Sequence, residues 1–319
     1  MKLSVTGVCG SDITLASGHV GPTADILGHE GVGYAVKIGS GVDSSLASIG
    51  TGIGITWNRD ICQECPFCLT PGGETRCMQR MNSGLKIDGS FAEYAVVPAR
   101  YLIKLPDKDA SLPDEMVAPI LCGGITAYKG LKICGATPGS WVVISGAGGN
   151  VGGLGVQYAR AMGYRVIAVD AGEDKGKFCL DSGADAYVDV SKDEEAAKTV
   201  VKLTGGDGAK AVIVAAGSVE AYQSAIDMLG PFGSLVCIGV PPPSQTVNLQ
   251  TMKFISGGYK MFGSVTGTRQ DIAEALDFVR RGLVKPSVHL TTLDDLTRIA
   301  KDLGKVGHAS EWRPCAWAD

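Results

Sequence analysis

Apolar positions along the chain follow two different rhythms. From about residue 138, short apolar runs alternate with amphipathic stretches. Trp141-Val142-Val143-Ile144-Ser145 reads as a strand, a glycine turn follows, and a helix runs through Val156-Gln157-Tyr158-Ala159. The spacing then predicts strands over 164–169, near 185–188, over 211–214 and over 234–238. Helices are predicted near 175–182, 194–203 and 219–229, with a further one over 271–281. Strands that are apolar on both faces and separated by helices imply a parallel sheet covered on both sides. Residues 1–115 instead read as irregular and β-rich, with segments such as 33–38 and 91–97 set between glycine-rich turns. The expected fold class is therefore α/β, a doubly wound parallel sheet joined to a smaller β-rich domain.

Composition narrows the choice of partners. Of 319 residues, 45% are hydrophobic and 19% charged, which fits a chain with a full core. A net charge of −4 argues against nucleic acid or an anionic membrane surface as partner. No apolar run is long enough to span a bilayer. Met1-Lys2-Leu3-Ser4 does not resemble a secretory signal, so a cytoplasmic location is expected and disulfides are disfavoured. The 45 glycines are dispersed rather than periodic, which suits tight turns and close backbone approaches.

Two clusters of chemistry can be read from spacing. Cys62-x2-Cys65-x2-Cys68-x8-Cys77 places four thiols in one loop, with Pro66, Pro71, Gly72 and Gly73 to fold it back. Four thiolates close a tetrahedral zinc site with no open position, the mark of a structural metal. The alternatives are two disulfides or scattered buried thiols. The second cluster is the turn Gly146-Ala147-Gly148-Gly149-Asn150-Val151-Gly152 between a strand and a helix, with Asp170 ending the next strand eighteen residues after Gly152. Glycines there bring backbone to a pyrophosphate, and the helix N-terminus offers its free N–H groups. Asp170 would accept the ribose hydroxyls and repel a 2′-phosphate, so NAD is expected over NADP. The expected cofactor-binding set is Gly146, Gly148, Gly149, Val151, Gly152, Asp170 and Lys175. Such an acid is otherwise a plain strand-end residue.

Cys9, His29-Glu30 and Cys122 stand apart from these. Their spacing alone is a loose signal, because lone cysteines and histidines are usually packed or hydrogen-bonded residues. Sequence blocks supply more. Gly7-Val8-Cys9-Gly10-Ser11-Asp12, Gly28-His29-Glu30-Gly31-Val32-Gly33, Asp88-Gly89-Ser90-Phe91-Ala92-Glu93-Tyr94 and Ala118-Pro119-Ile120-Leu121-Cys122-Gly123-Gly124-Ile125-Thr126, with the cysteine loop, resemble the medium-chain zinc-dependent alcohol dehydrogenases. The likeness is to the fungal, yeast-type branch and runs to about Lys305. It implies a GroES-like catalytic domain over 1–123, a Rossmann-like NAD domain over 124–265 and a returning segment over 266–319, with the active site in the cleft between domains. It further implies catalytic zinc on Cys9, His29 and Cys122, Glu30 as a nearby or alternate ligand, Asp12 orienting the histidine, and Ser11 accepting the alcohol proton. Two zinc ions per chain, NAD, a small alcohol or aldehyde substrate and a homotetramer follow from the same resemblance.

Departures from the family pattern carry expectations of their own. Thr14 stands where a proton-relay histidine is frequent, so the relay is expected to be less efficient near neutral pH. A pH–rate profile unchanged in Thr14→His refutes this. Gly10 replaces a histidine near the cofactor phosphates. Trp57 matches a cleft-lining bulky residue, and a second cleft tryptophan is replaced near Val20, which predicts a roomier pocket. A kcat/KM falling steadily from ethanol to hexanol counts against that. The chain starts close to Cys9, and the ending His308-Ala309-Ser310-Glu311-Trp312-Arg313-Pro314-Cys315-Ala316-Trp317 lacks strand alternation, so the fold is expected to be shortened at both ends with exposed edges. His19, His289 and His308 read as surface or loop residues, and Cys134, Cys179, Cys237 and Cys315 as bystanders. Arg269 reads either as a cofactor contact or as a solvated helix start. Other readings are polyol oxidation, a zinc-free enone or quinone reductase, and a non-catalytic zinc- or cofactor-binding remnant.

Overall fold

The computed structural model describes residues 1–18, 20–106 and 112–304, and the backbone of 315–318. His19, the residues 305–314 that include His308, Trp312 and Arg313, and the side chains of Cys315 and Trp317 lie outside the described part. The chain forms two compact units, Met1–Ile125 with Thr266–Asp319, and Thr126–Val265.

The first unit is built on a six-stranded sheet in the order His289–Thr291, Cys315–Ala318, Lys2–Gly7, Gly31–Tyr34, Gly52–Ile55, Ile103–Lys104. All neighbours are antiparallel except His289–Thr291 and Cys315–Ala318, which run parallel. Alternating small and branched residues let strands such as Gly-Val-Gly-Tyr bury both faces: Leu3, Val5, Val32 and Ile55 are all buried. Glycine at position 33 is obligatory, because a Cβ there would sit 2.1 Å from the Lys2 carbonyl oxygen of the paired strand. Residues 315–318 form a strand despite their lack of alternation, pairing Val5 with Ala318 and Gly7 with Ala316. Backbone groups alone make that ladder, so pattern gives no notice of it.

Segment 91–97, expected as a strand, is irregular. Among the described residues its one ladder contact is an isolated bridge of Tyr94 with Lys2, flanked by bonds from Leu3 N–H to the Glu93 carbonyl (2.8 Å) and Ala95 N–H to the Met1 carbonyl (3.1 Å). In this antiparallel register positions 89–91 would fall opposite Val5–Gly7, whose edge is already taken by 316–318, so the ladder does not extend in that direction. The strand expected over 33–38 ends at Tyr34, and Lys260–Gly263 adds a strand with no strong apolar signal.

The second unit contains a six-stranded sheet, all parallel, in the order Lys260–Gly263, Leu229–Cys237, Ala209–Val214, Trp141–Ser145, Arg165–Asp170, Ala186–Asp189. Val143, Ile167, Val212 and Leu235 are essentially inaccessible to solvent, as expected where helices cover both faces. The chain order reverses between Trp141–Ser145 and Ala209–Val214, so the loops after these strands diverge and leave a crevice at their C-terminal ends. The loops touch at their roots, where a Cβ on Gly146 (φ 81°) would lie 2.6 Å from Ala216 N.

Candidate active site

Three elements of the first unit deliver four donor side chains to one point. Cys9 follows the strand Lys2–Gly7 and caps the helix Gly10–Ala16. His29 and Glu30 precede the antiparallel neighbour Gly31–Tyr34, whose register places Gly31 opposite Thr6. The end of one strand and the start of the next therefore lie side by side. Cys122 closes the short 3₁₀ turn Ala118–Leu121, held by the fully buried Ile120 and Leu121. Cys9 Sγ lies 3.9 Å from Cys122 Sγ, and His29 Nε2 lies 3.3 Å from the same sulfur. One donor atom from each of Cys9, His29, Glu30 and Cys122 falls within 4.8 Å of all the others.

Asp12 locks two of these groups with one carboxylate. Its Oδ1 accepts from His29 Nδ1 at 2.8 Å, and its Oδ2 accepts the Cys9 backbone N–H at 3.0 Å. The Nδ1 contact fixes the tautomer that presents an Nε2 lone pair toward the sulfurs. Asp12 and His29 are each 1% exposed and Glu30 is fully buried. Both Glu30 carboxyl oxygens lack a hydrogen-bond partner among the described residues. Gly7 makes room for them, since a Cβ there would stand 2.0 Å from Glu30 Oε2. The glycine before Cys9 is thus a site residue that its motif position had not singled out.

Charge in this cluster is unevenly shared. A hydrogen bond from the Cys122 thiol holds Cys9 well below the usual thiol range against its burial. The same bond, with burial and Cys9's charge, pushes Cys122 well up. Burial and then Cys9 push Glu30 well up. Burial pulls His29 down, but the charge and hydrogen bond of Asp12, with Cys9, bring it well above its ordinary value. Two sulfurs, one imidazole nitrogen and an unsatisfied buried carboxylate are the donor chemistry that suits zinc, a borderline-soft cation that takes S and N ligands.

The second cysteine set is local. A single turn of helix, Pro66–Leu69, and a 3₁₀ turn, Gly73–Arg76, fold Cys62, Cys65, Cys68 and Cys77 together. Gly72 at φ 75° makes the reversal between them. Cys62 Sγ lies 3.8 Å from Cys68 Sγ and 3.6 Å from Cys77 Sγ, far longer than a disulfide. Backbone N–H groups of Glu64 and Cys65 bring the Cys62 thiol down to about 6, whereas burial and neighbouring thiols push Cys68 up to about 12. Four converging sulfurs without an open position fit a closed zinc site.

In the second unit, the helix Asn150–Ala161 starts behind Gly149, an N-cap without a side chain, which leaves its first N–H groups open to an anion. A Cβ on Gly152 would lie 2.0 Å from the Gly146 carbonyl oxygen, so helix and turn touch directly. Val151 lies in the first turn, half-buried. Asp170 ends its strand with Oδ2 accepting from Gly148 N–H (2.8 Å) and Oδ1 from Lys175 Nζ (2.8 Å). The Lys175 stem covers Gly148, 2.6 Å from where a Cβ would stand. Asp170, Lys175 and the glycine turn are thus one cluster.

Residues 1–107 match the family model for the alcohol dehydrogenase GroES-like domain, and residues 150–281 match that for the zinc-binding dehydrogenases. An alcohol dehydrogenase of Geobacillus stearothermophilus is 39% identical over 96% of this chain and 87% of its own length. The chain belongs to the medium-chain zinc-binding alcohol dehydrogenases. Within this family, alcohol dehydrogenase 1 of Emericella nidulans is 39% identical over 94% of this chain and 85% of its own. The solved structure of the Aeropyrum pernix alcohol dehydrogenase superposes with a TM-score of 0.87 at 28% identity, covering 100% of this chain and 91% of that one.

Remaining positions expected of this alcohol dehydrogenase fold fall as follows. Ser11 is exposed on the first turn of Gly10–Ala16, one residue from Asp12. Thr14 turns its hydroxyl back to the Gly10 carbonyl (3.3 Å). Trp57 stands edge-on to His29 with ring centroids 5.5 Å apart, so it flanks the donor cluster. Val20 is half-exposed, and among the bystander cysteines Cys134 and Cys179 are buried and Cys237 half-buried. Arg269 does open a helix, Arg269–Arg280, with its side chain 40% exposed, and its guanidinium also bonds Glu74 at 2.9 Å and lies 4.7 Å from the Tyr101 ring centroid, tying the cysteine loop to that helix.

Proposed function

We propose that this chain interconverts an alcohol and its aldehyde or ketone with NAD, using zinc on Cys9, His29 and Cys122, and carries a second zinc on Cys62, Cys65, Cys68 and Cys77. The observation that supports it is the convergence of Cys9, His29, Glu30 and Cys122 donor atoms within 4.8 Å, with Asp12 on the far imidazole nitrogen. When bound, zinc supplies Lewis acidity and NAD a hydride acceptor. The residues of the chain do the remaining work. Asp12 keeps His29 in the ligating tautomer and fixes the Cys9 backbone. Glu30, buried with neither carboxyl oxygen hydrogen-bonded among the described residues, is held in reserve as a further ligand.

The Ser11 hydroxyl takes the proton of the alcohol and passes it toward solvent, to which it is exposed. Thr14, bonded to its own helix, offers no imidazole to extend that path. Trp57 shields one side of His29 and gives the substrate carbon chain an apolar wall. Asp170 and Lys175 receive the adenosine ribose, and the N-terminus of Asn150–Ala161 the pyrophosphate. The segments 1–123, 124–265 and 266–319 serve as catalytic, cofactor and returning parts.

The test is metal analysis of purified protein together with NAD reduction across primary, secondary and polyol substrates. Two zinc ions per chain and NADH formation from a simple alcohol are expected. Two zinc ions with no turnover on any alcohol overturn the enzymatic reading and leave a cofactor-binding remnant.

A further inference from the structure

We infer that Asp189, at the end of the strand beside Asp170, is a second element that excludes a 2′-phosphorylated dinucleotide, an inference that rests on the proposed NAD site. In the parallel ladder Asp170 pairs directly with Asp189, so two carboxylates end adjacent strands. A phosphate next to Asp170 would look first to the N–H groups of the turn that follows, and both are taken. Ala171 N–H donates to Asp170 Oδ1 at 2.7 Å, and Gly172 N–H donates to Asp189 Oδ1 at 3.0 Å. The Ser191 N–H (3.0 Å) and hydroxyl (2.5 Å) also donate to that Asp189 oxygen. These bonds hold the Asp189 carboxyl below the usual range, so it is ionised at neutral pH.

The turn is also fixed from its other side. Tyr187 donates its hydroxyl to the Gly172 carbonyl at 2.8 Å, and Val190 N–H donates to the Asp170 carbonyl at 3.0 Å. The strand Ala186–Asp189 therefore sets the turn in a conformation with its donors facing carboxylates. Glycine is needed at 172, where φ is 102°. The helix that starts there, Glu173–Asp181, carries Glu173 and Asp174 in its first turn and so does not invite an anion. Beside Asp170 opens a cavity of about 810 Å³ whose lining includes Asp193, Glu194, Glu195, Glu220 and Asp227, with Lys198 as the basic residue. Lys175, the cation nearest Asp170, is already bonded to it. Removing Asp170 would free Lys175 and the Ala171 and Gly148 N–H groups, but leave the Gly172 donor and the Asp189 charge as they are.

The experiment titrates NADH and NADPH into the full-length chain by fluorescence, which reads binding without turnover. Wild type is expected to bind NADH at least about a hundredfold more tightly than NADPH. Asp170→Ala weakens NADH about tenfold and gains little for NADPH. Asp189→Asn keeps an oxygen for Gly172 and Ser191 but removes the charge. It leaves NADH binding within about threefold, and Asp170→Ala/Asp189→Asn binds NADPH about tenfold more tightly than Asp170→Ala, the scale of one partly screened charge pair. Asp170→Ala/Asp189→Glu, which keeps the charge, shows no such gain. NADPH binding equal in Asp170→Ala and Asp170→Ala/Asp189→Asn overturns the role of Asp189. If instead Asp170→Ala leaves NADH affinity unchanged, the NAD site itself is wrong, and the inference falls with it.

Discussion

The two cysteine-bearing clusters of the first unit offer the sharpest contrast in the molecule. In one, Cys62 and Cys77 are 15 residues apart and two short turns bring four sulfurs together. In the other, Cys9 and Cys122 are 113 residues apart and meet only because a strand end, a strand start and a buried 3₁₀ turn converge. The local cluster consists of sulfur alone and closes on itself. The distant one mixes sulfur, nitrogen and an unpaired carboxylate, and is buttressed by Asp12 and flanked by Trp57. A local loop makes its site from nearby chain, so the metal it suits would hold that loop in shape. A site gathered from remote elements is held by the fold, and its metal is left free to act on a ligand.

Removing one ligand from each cluster tests this contrast with the largest effects. Cys122→Ser is expected to lower kcat/KM by roughly 10³-fold or more, the several kcal/mol that a Lewis-acidic metal supplies, with little change in Tm. Cys65→Ser should do the reverse, costing about 2–4 kcal/mol of stability by thermal unfolding while the folded fraction stays active. Equal Tm losses in both would erase the distinction between the clusters. Next in size is Asp12→Asn, expected to cost about 10–100-fold in zinc affinity of the distant site, measured with a competing chelator, because the His29 tautomer is no longer set. The local cluster should keep its metal. The smallest effect is expected for Arg269→Ala. Its pair with Glu74 is partly exposed, at 40% and 19%, and the loss should be about 1 kcal/mol by denaturant unfolding, including the Tyr101 contact. A loss beyond about 3 kcal/mol would show that the cysteine loop depends on the tertiary clamp more than on its own turns.

The parallel sheet was legible because its strands are apolar on both faces. Trp141–Ser145 occupies the span its pattern implies, and Arg165–Asp170 and Ala186–Asp189 lie within a residue of theirs. The β-rich half was not legible in the same way. Segment 91–97 alternates yet is irregular, while 315–318 does not alternate yet pairs, because availability of a strand edge decides pairing there. Gly7 was hidden for a related reason: its requirement comes from Glu30, which is 23 positions away in the chain but within 2.0 Å of where a Cβ would stand.

Chain order by itself determined the cysteine loop, the glycine turn and Asp170, because each is a short-range pattern in which spacing dictates geometry. Tertiary structure alone decided that Gly7 makes room for Glu30, that Arg269 holds Glu74, and that Asp189 stands beside Asp170. Those are contacts between groups distant in sequence, and only strand register and packing bring their atoms within hydrogen-bonding range.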